Sequence, residues 1–298
     1  MRQKIMQNRY LFLAAAIVMQ LCLGNLYSWS IFQAPLMEQH GWTIAETTVP
    51  FTLSIVFFAV GMIVAGRWQD RSGPRIVGIS GGVLLGLGFL LAAWIGSSLP
   101  GLYLSYGILG GLGVGFAYVT PIATIVKWFP DMRGAMTGIA VLGFGAGSLV
   151  GAPIGTTLIQ IVGVDGTFLI FGITFGFLVI LSAAILRNPP KGWSPSGWNP
   201  TQDEELTVEV LDYTPTEMVG TVQFHLLWCI NLLGSGVGLM VISQAVPMGQ
   251  ELAGVSATAA AGALGTMAIF NALGRPSFGW ISDRIGRTLS LMIAFCLY

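Results

Sequence analysis

Residues 66–75 read GRWQDRSGPR, and residues 279–287 read GWISDRIGR. Gly66, Asp70, Arg71 and Gly73 return as Gly279, Asp283, Arg284 and Gly286 at a constant offset of 213 residues. Each copy closes a long apolar run, and the apolar character resumes a few residues later. A positive loop with an incidental glycine accounts for one such string. It does not account for two at matching places, so the chain reads as an internal repeat.

The composition says what is repeated. Of 298 residues, 54% are hydrophobic and only 9% charged, where a soluble domain carries about a quarter charged residues. Runs of roughly 20 apolar residues cross a ~30 Å hydrocarbon layer as helices. Eight such segments fall near 11–33, 48–66, 76–97, 101–126, 134–162, 167–187, 223–246 and 257–280, and a ninth begins near Leu289. The expectation is an all-α membrane protein. The first segment follows Arg2, Lys4 and Arg9 like a signal peptide. It is too long for that and others follow at once, so it reads as an uncleaved helix. Cys22, Cys229 and Cys296 lie inside apolar runs with neither metal spacing nor a disulfide framework. Zero formal net charge gives no reason to expect nucleic acid.

Charge gives the orientation. Drawn across eight helices, all thirteen lysines and arginines lie on one side or just inside its helix ends. The opposite loops hold Glu38, Glu46, Asp165 and Glu251 and no basic residue. The positive-inside rule predicts a multi-pass protein of the inner or plasma membrane with a cytoplasmic N-terminus.

Between 188 and 222 the composition turns to NPPKGWSPSGWNP and then TQDEELTVEVLD, which predicts a solvated cytoplasmic linker. Near its end, Thr214-Pro215-Thr216-Glu217 has the form of a capping box with proline at the first helical position. The next helix is therefore expected to start in water. Three regions follow: a six-helix half over 1–187, the linker over 188–222, and an incomplete second half over 223–298.

Duplicated six-helix units related by an axis along the membrane normal build one large class of secondary transporters. The repeated string resembles the GxxxDRxGR loop motif of the major facilitator superfamily. The resemblance implies two six-helix halves, here cut after eight complete helices and the start of a ninth. It also implies a gating role for Gly66, Asp70, Arg71, Gly73, Gly279, Asp283, Arg284 and Gly286. Physically, glycine lets helices approach and aspartate pairs with arginine or a helix N-terminus. The first copy departs at Pro74. Lys127–Gly134 resembles the same family's loop between the fourth and fifth helices. Gly147, Gly151, Pro153 and Gly155 resemble, incompletely, its glycine-proline motif of exchangers. Gly110, Gly111, Gly113 and Gly115 stand where many members have an arginine before the glycines; here Tyr106 and Gly107 occupy that place. These glycines follow no strand, so they read as helix-packing contacts rather than a dinucleotide fingerprint.

Arg275 is the anomaly. It lies one turn before Gly279, roughly 6 Å deeper at about 1.5 Å per residue. An unpaired arginine in hydrocarbon costs at least roughly 2.5–3.5 kcal/mol. Either it snorkels to the headgroups, or it faces a water-filled cavity and pairs with an anion, for which its planar fork is suited. Asn271, one turn earlier on the same face, is placed to orient it. The string NALGRPSFG over 271–279 resembles the eighth helix of the oxalate/formate antiporter family, and more distantly the monocarboxylate transporters. In that family the matching arginine contacts the substrate carboxylate, and a lysine on helix eleven, beyond Tyr298, joins it. Asn188–Trp193 and Tyr213–Trp228 resemble that family too.

Other cavity candidates come from helices one and four. At about 100° per residue, Asn25, Ser28, Trp29 and Gln33 share one face, and Tyr27 lies opposite with Gln20. Polarity favours Gln33's face; the resemblance favours Tyr27. Tyr118 follows Gly111 and Gly115 on a face open to a ligand or to a neighbouring helix. The resulting expectation is a secondary transporter of small carboxylates that works by alternating access. It takes an anionic carboxylate and lipid as partners, works as a monomer, and uses no cofactor and no metal. No GxxxxGK[ST] loop implies a nucleotide. The alternatives are a facilitator for another solute, with Arg275 at the gate or snorkelling, and a membrane enzyme or receptor. His40 and His225 offer no catalytic partner, and no appended soluble domain marks a receptor.

Overall fold

The computed structural model describes residues 9–190, 192–195, 213–254 and 257–297. Most of the linker, residues 191 and 196–212, and the basic residues Arg2 and Lys4 lie outside them. The described residues are helical throughout their regular structure. They form α1 (Arg9–Leu23), a 3₁₀ turn (Gly24–Ser28), α2 (Ser30–His40), α3 (Ile44–Ser72), α4 (Pro74–Ile95) and α5 (Leu99–Leu102). A π-helical stretch (Tyr103–Gly110), α6 (Gly111–Trp128), a 3₁₀ turn (Pro130–Met132) and α7 (Arg133–Ile185) follow. The last four are α8 (Pro215–Val219), α9 (Val222–Ala253), α10 (Ala257–Ile285) and α11 (Arg287–Leu297). Among the described residues five helical runs are long and apolar enough to cross a membrane: Arg9–Ser28, Ile44–Ser72, Pro74–Ile95, Leu99–Trp128 and Pro130–Ile185. The last is broken at Gly163 (φ 74°), which separates the expected fifth and sixth segments. α9 and α10 cover the seventh and eighth.

The chain divides into two compact units. One holds residues 1–193 with 268–284, the end of α10. In it α4 packs on α6 and α7, α1 on α7, and α3 on α6. An aromatic core of Phe32, Phe89, Tyr106, Phe168 and Phe171 fills its centre. The other unit holds 194–267 with 285–298, where Phe295 of α11 lies against Gly234 of α9.

Glycine contacts explain the close packing. On α6, Gly111 and Gly115 meet backbone of α3, and Gly113 meets Leu84 and Leu85 of α4. The face that includes Gly111 and Gly115 is thus taken by a neighbouring helix. α7 carries two such stripes. Gly143, Gly147 and Gly151 face α1 and the 3₁₀ turn after it, meeting Ile17, Gly24 and Asn25. Gly138 and Gly145 face α10, meeting Arg275 and Ala272.

Two local expectations change. The Thr214–Glu217 capping box forms: Thr214 Oγ1 accepts from the Glu217 amide at 3.4 Å, and the Thr214 amide donates to Glu217 Oε2 at 2.8 Å. The Thr214 amide and hydroxyl both donate to Glu217 Oε2 and hold that carboxyl below its ordinary range. It opens only the five-residue α8, however, because the chain turns at Gly220 and Thr221. α9 starts at Val222, where Thr221 Oγ1 accepts from the Phe224 amide at 3.3 Å. The first segment is likewise not one straight helix: the 3₁₀ turn over 24–28 resets its register.

Both copies of the repeated string end alike. Gly73 closes α3 at φ 79° and Gly286 lies between α10 and α11 at φ 87°. The left-handed region costs other residues roughly 1–2 kcal/mol. Proline is suited to the first position of a helix, which is where Pro74 stands. A Cβ on Gly73 would meet nothing within 4 Å. Gly73→Ala should therefore lower stability by about 1 kcal/mol through backbone strain alone, a shift that thermal unfolding reads directly.

Candidate functional site

Arg275 lies within α10, just before Pro276. Its Nη2 donates to Asn271 Oδ1 at 3.3 Å, so the expected i, i+4 pair forms. Nε is buried against Gly145 of α7 and has no partner. Among the described residues the guanidinium has no carboxylate within ion-pair distance. The phenols of Tyr27 and Tyr118 both lie within its electrostatic reach, Tyr118 close enough for side-chain hydrogen bonding. Arg275, Asn271, Tyr27 and Tyr118 are thus brought together by α10, the 3₁₀ turn and α6.

The register reset decides between the two faces of the first segment. Asn25, Ser28 and Trp29 turn into the packed interior, each at most 3% exposed. Trp29 Nε1 donates to the Thr47 carbonyl at 2.8 Å, and Asn25 rests on Gly151. Tyr27 is half-buried and faces the Arg275 group. Gln33 is not in that group; its amide donates to Thr48 Oγ1 at 3.3 Å.

The sequence reading missed Phe144 and gave Gln20, on the face of Tyr27, no role. Phe144 of α7 meets Tyr27 edge-on at 5.3 Å and Tyr118 at 4.9 Å, with Phe58 stacked at 6.0 Å. An apolar side chain in an apolar run gave no signal. Gln20, fully buried, donates from Nε2 to the Tyr118 carbonyl at 3.3 Å. Its polarity in such a run was the available signal. Together these form a guanidinium with spare donors, walled by aromatic rings, a setting that suits a small planar anion.

The repeated string has its own geometry. Asp283 accepts from the Gly134 amide at 3.0 Å and the Ala135 amide at 2.8 Å, at the start of α7. An anion there satisfies unpaired amides and complements the helix dipole. Gly279 packs on the Gly134 carbonyl, and the Arg284 guanidinium lies 4.0 Å over Trp280. The first copy differs. Asp70 and Arg71 are exposed and make no hydrogen bond or ion pair among the described residues, and Gly66 has open space around it. Gly279→Val should consequently cost about 1–3 kcal/mol by overpacking, while Gly66→Val leaves the folded unit unaffected. Thermal unfolding of the two variants side by side checks the contrast.

The Major Facilitator Superfamily profile matches residues 12–298. The chain belongs to the major facilitator superfamily. It is 33% identical over 283 residues to the "Uncharacterized MFS-type transporter YhjX" of Escherichia coli (strain K12), covering 94% of this chain and 68% of that one. It is 30% identical over 292 residues to the "Oxalate:formate antiporter" of Oxalobacter formigenes, covering 98% and 67%. Monocarboxylate transporter 12 of Rattus norvegicus is 26% identical over 276 residues, covering 85% and 55%. As a superfamily member with these apolar helices, the protein is a multi-pass membrane transporter and not an enzyme.

Proposed function

We propose that this superfamily member carries small carboxylates by alternating access and that Arg275 is the cation that holds the anion. The observation that carries the reading is the Arg275 guanidinium: it has a buried Nε without a partner and no acid partner among the described residues, and two phenols lie within its electrostatic reach. Asn271 orients it, and Tyr27 and Tyr118 wall the site, while Gln33, bonded to Thr48, takes no part in it. The name of the Oxalobacter relative supports this substrate class. On the same reading the lysine- and arginine-rich side is cytoplasmic, with the N-terminus there. The repeated loops latch that side when closed, two six-helix halves rock about the site, and one copy of the protein suffices.

The test is counterflow in liposomes holding the protein. Labelled oxalate is challenged with unlabelled formate, lactate and a neutral sugar. Displacement of the labelled oxalate by formate, and by neither lactate nor the sugar, supports antiport of small carboxylates. Displacement by lactate, dependent on a pH gradient, supports monocarboxylate symport. With no carboxylate response the reading fails, and Arg275 returns to a gating or snorkelling role for another solute.

A further inference from the structure

The turn that receives Asp283 is itself bolted down by an ion pair the repeated motif does not contain. Arg9, at the start of α1, pairs side-on with Asp131: Nη1 donates to Oδ1 at 2.6 Å and Nη2 to Oδ2 at 2.9 Å. The same guanidinium lies 4.5 Å over the Phe129 ring. Both partners are less than one-fifth exposed, so the pair is more shielded from solvent than an ordinary surface bridge. Asp131 belongs to the 3₁₀ turn Pro130–Met132, and α7 begins at the next residue. The other side of the turn is anchored too. Trp128 stacks on Phe12 at 4.5 Å, meets Trp193 edge-on at 4.7 Å, and donates from Nε1 to the Arg187 carbonyl at 2.6 Å.

The geometry points to Arg9 and Asp131 as positioning residues for the gate, holding the α6–α7 turn so that the Gly134 and Ala135 amides stay aimed at Asp283. The inference rests on the gate reading of the repeated motif. Gly134 and Ala135 lie three and four residues past Asp131. A turn held at one end by Trp128 alone would still swing about Phe129, whose φ of −127° and ψ of 61° is non-helical. The bidentate fork removes that freedom, because two parallel bonds fix orientation as well as distance. Arg9 has a second effect: Asp131 unpaired would place a negative charge at the start of α7, where the helix end otherwise favours Asp283, and the Arg9 guanidinium neutralises it.

The experiment uses the full chain in lipid nanodiscs and liposomes, with Arg9→Gln, Arg9→Lys, Asp131→Asn and Asp283→Asn alone and in combination. Two readouts separate positioning from mere stability. In amide hydrogen exchange, Arg9→Gln and Asp131→Asn should accelerate Gly134 and Ala135 by at least about fivefold, with α4 and the rest of α7 unchanged. In labelled-oxalate exchange, each should lower turnover several-fold with half-saturation unchanged, and neither should lower it further in the Asp283→Asn background. Arg9→Lys, which keeps charge without the fork, should recover only part of the turnover. Unchanged amide protection, or an undiminished loss on top of Asp283→Asn, overturns the positioning role. Full turnover in Asp283→Asn alone instead overturns the gate reading beneath it. Where Arg9→Gln yields too little folded protein, Asp131→Asn and Arg9→Lys decide the same question.

Discussion

Replacing Arg275 with glutamine is expected to lower carboxylate exchange by at least about 30-fold, because truncating one partner of a buried hydrogen-bonded charge pair costs about 2–5 kcal/mol. Glutamine keeps the side chain as far as about the position of Nε, and Gly138 meets only backbone of Arg275 and Pro276, so the packing of α10 on Gly138 and Gly145 survives. Insertion and thermal unfolding should match the parent. Arg275→Lys should fall between the two, since an ammonium keeps the charge and loses the planar fork. The measurement is labelled-oxalate counterflow normalised to protein in the liposome. Parent-like transport at parent-like expression would remove Arg275 from the binding site, whatever its other role.

Gly147→Leu is the substitution expected to harm the fold most. A Cβ at this position would meet the Cα and carbonyl carbon of Gly24 and the Leu21 carbonyl, all backbone, so no rotamer change relieves it. Overpacking costs about 1–3 kcal/mol even where side chains can yield, and more where they cannot. The variant should lose monodisperse protein on size exclusion in detergent. Ile161→Leu, 71% exposed on the same helix, should leave the profile unchanged. Normal recovery of Gly147→Leu with an unshifted unfolding temperature would mean that α1 and α7 do not cross this closely.

How much of this could be read beforehand depends on whether the signal was local. The glycines that close the duplicated string, the Thr214–Glu217 box and the Asn271–Arg275 pair are short-range patterns, and each has the geometry its spacing implies. The Thr43–Glu46 box at the head of α3 carried the same signature and went unread: both reciprocal bonds are present, with the Thr43 amide donating to Glu46 Oε2 at 2.8 Å. The face of the first segment could not be settled from a constant 100° rotation, because the 3₁₀ turn at Gly24–Ser28 changes the rotation between Asn25 and Gln33. Arg9–Asp131 joins residues 122 positions apart, and Phe144 differs in no way from the apolar residues around it until α1 and α6 are packed on it. Long-range pairing and aromatic walls belong to the tertiary fold and leave no local trace.

The two glycine stripes of α7 have a consequence for how this gene can drift. One line runs through Gly143, Gly147 and Gly151 and another through Gly138 and Gly145: backbone stands against Gly138, Gly143 and Gly147, the Asn25 side chain against Gly151, and Ala272 with Arg275 Nε against Gly145. Further along α7, Ile154, Ile161, Ile173 and Phe177 are all more than one-third exposed and interchangeable with any apolar residue a bilayer accepts. Selection therefore meets α7 as a text of uneven freedom, in which Gly138, Gly143 and Gly147 tolerate a single letter and the exposed positions tolerate almost any apolar one.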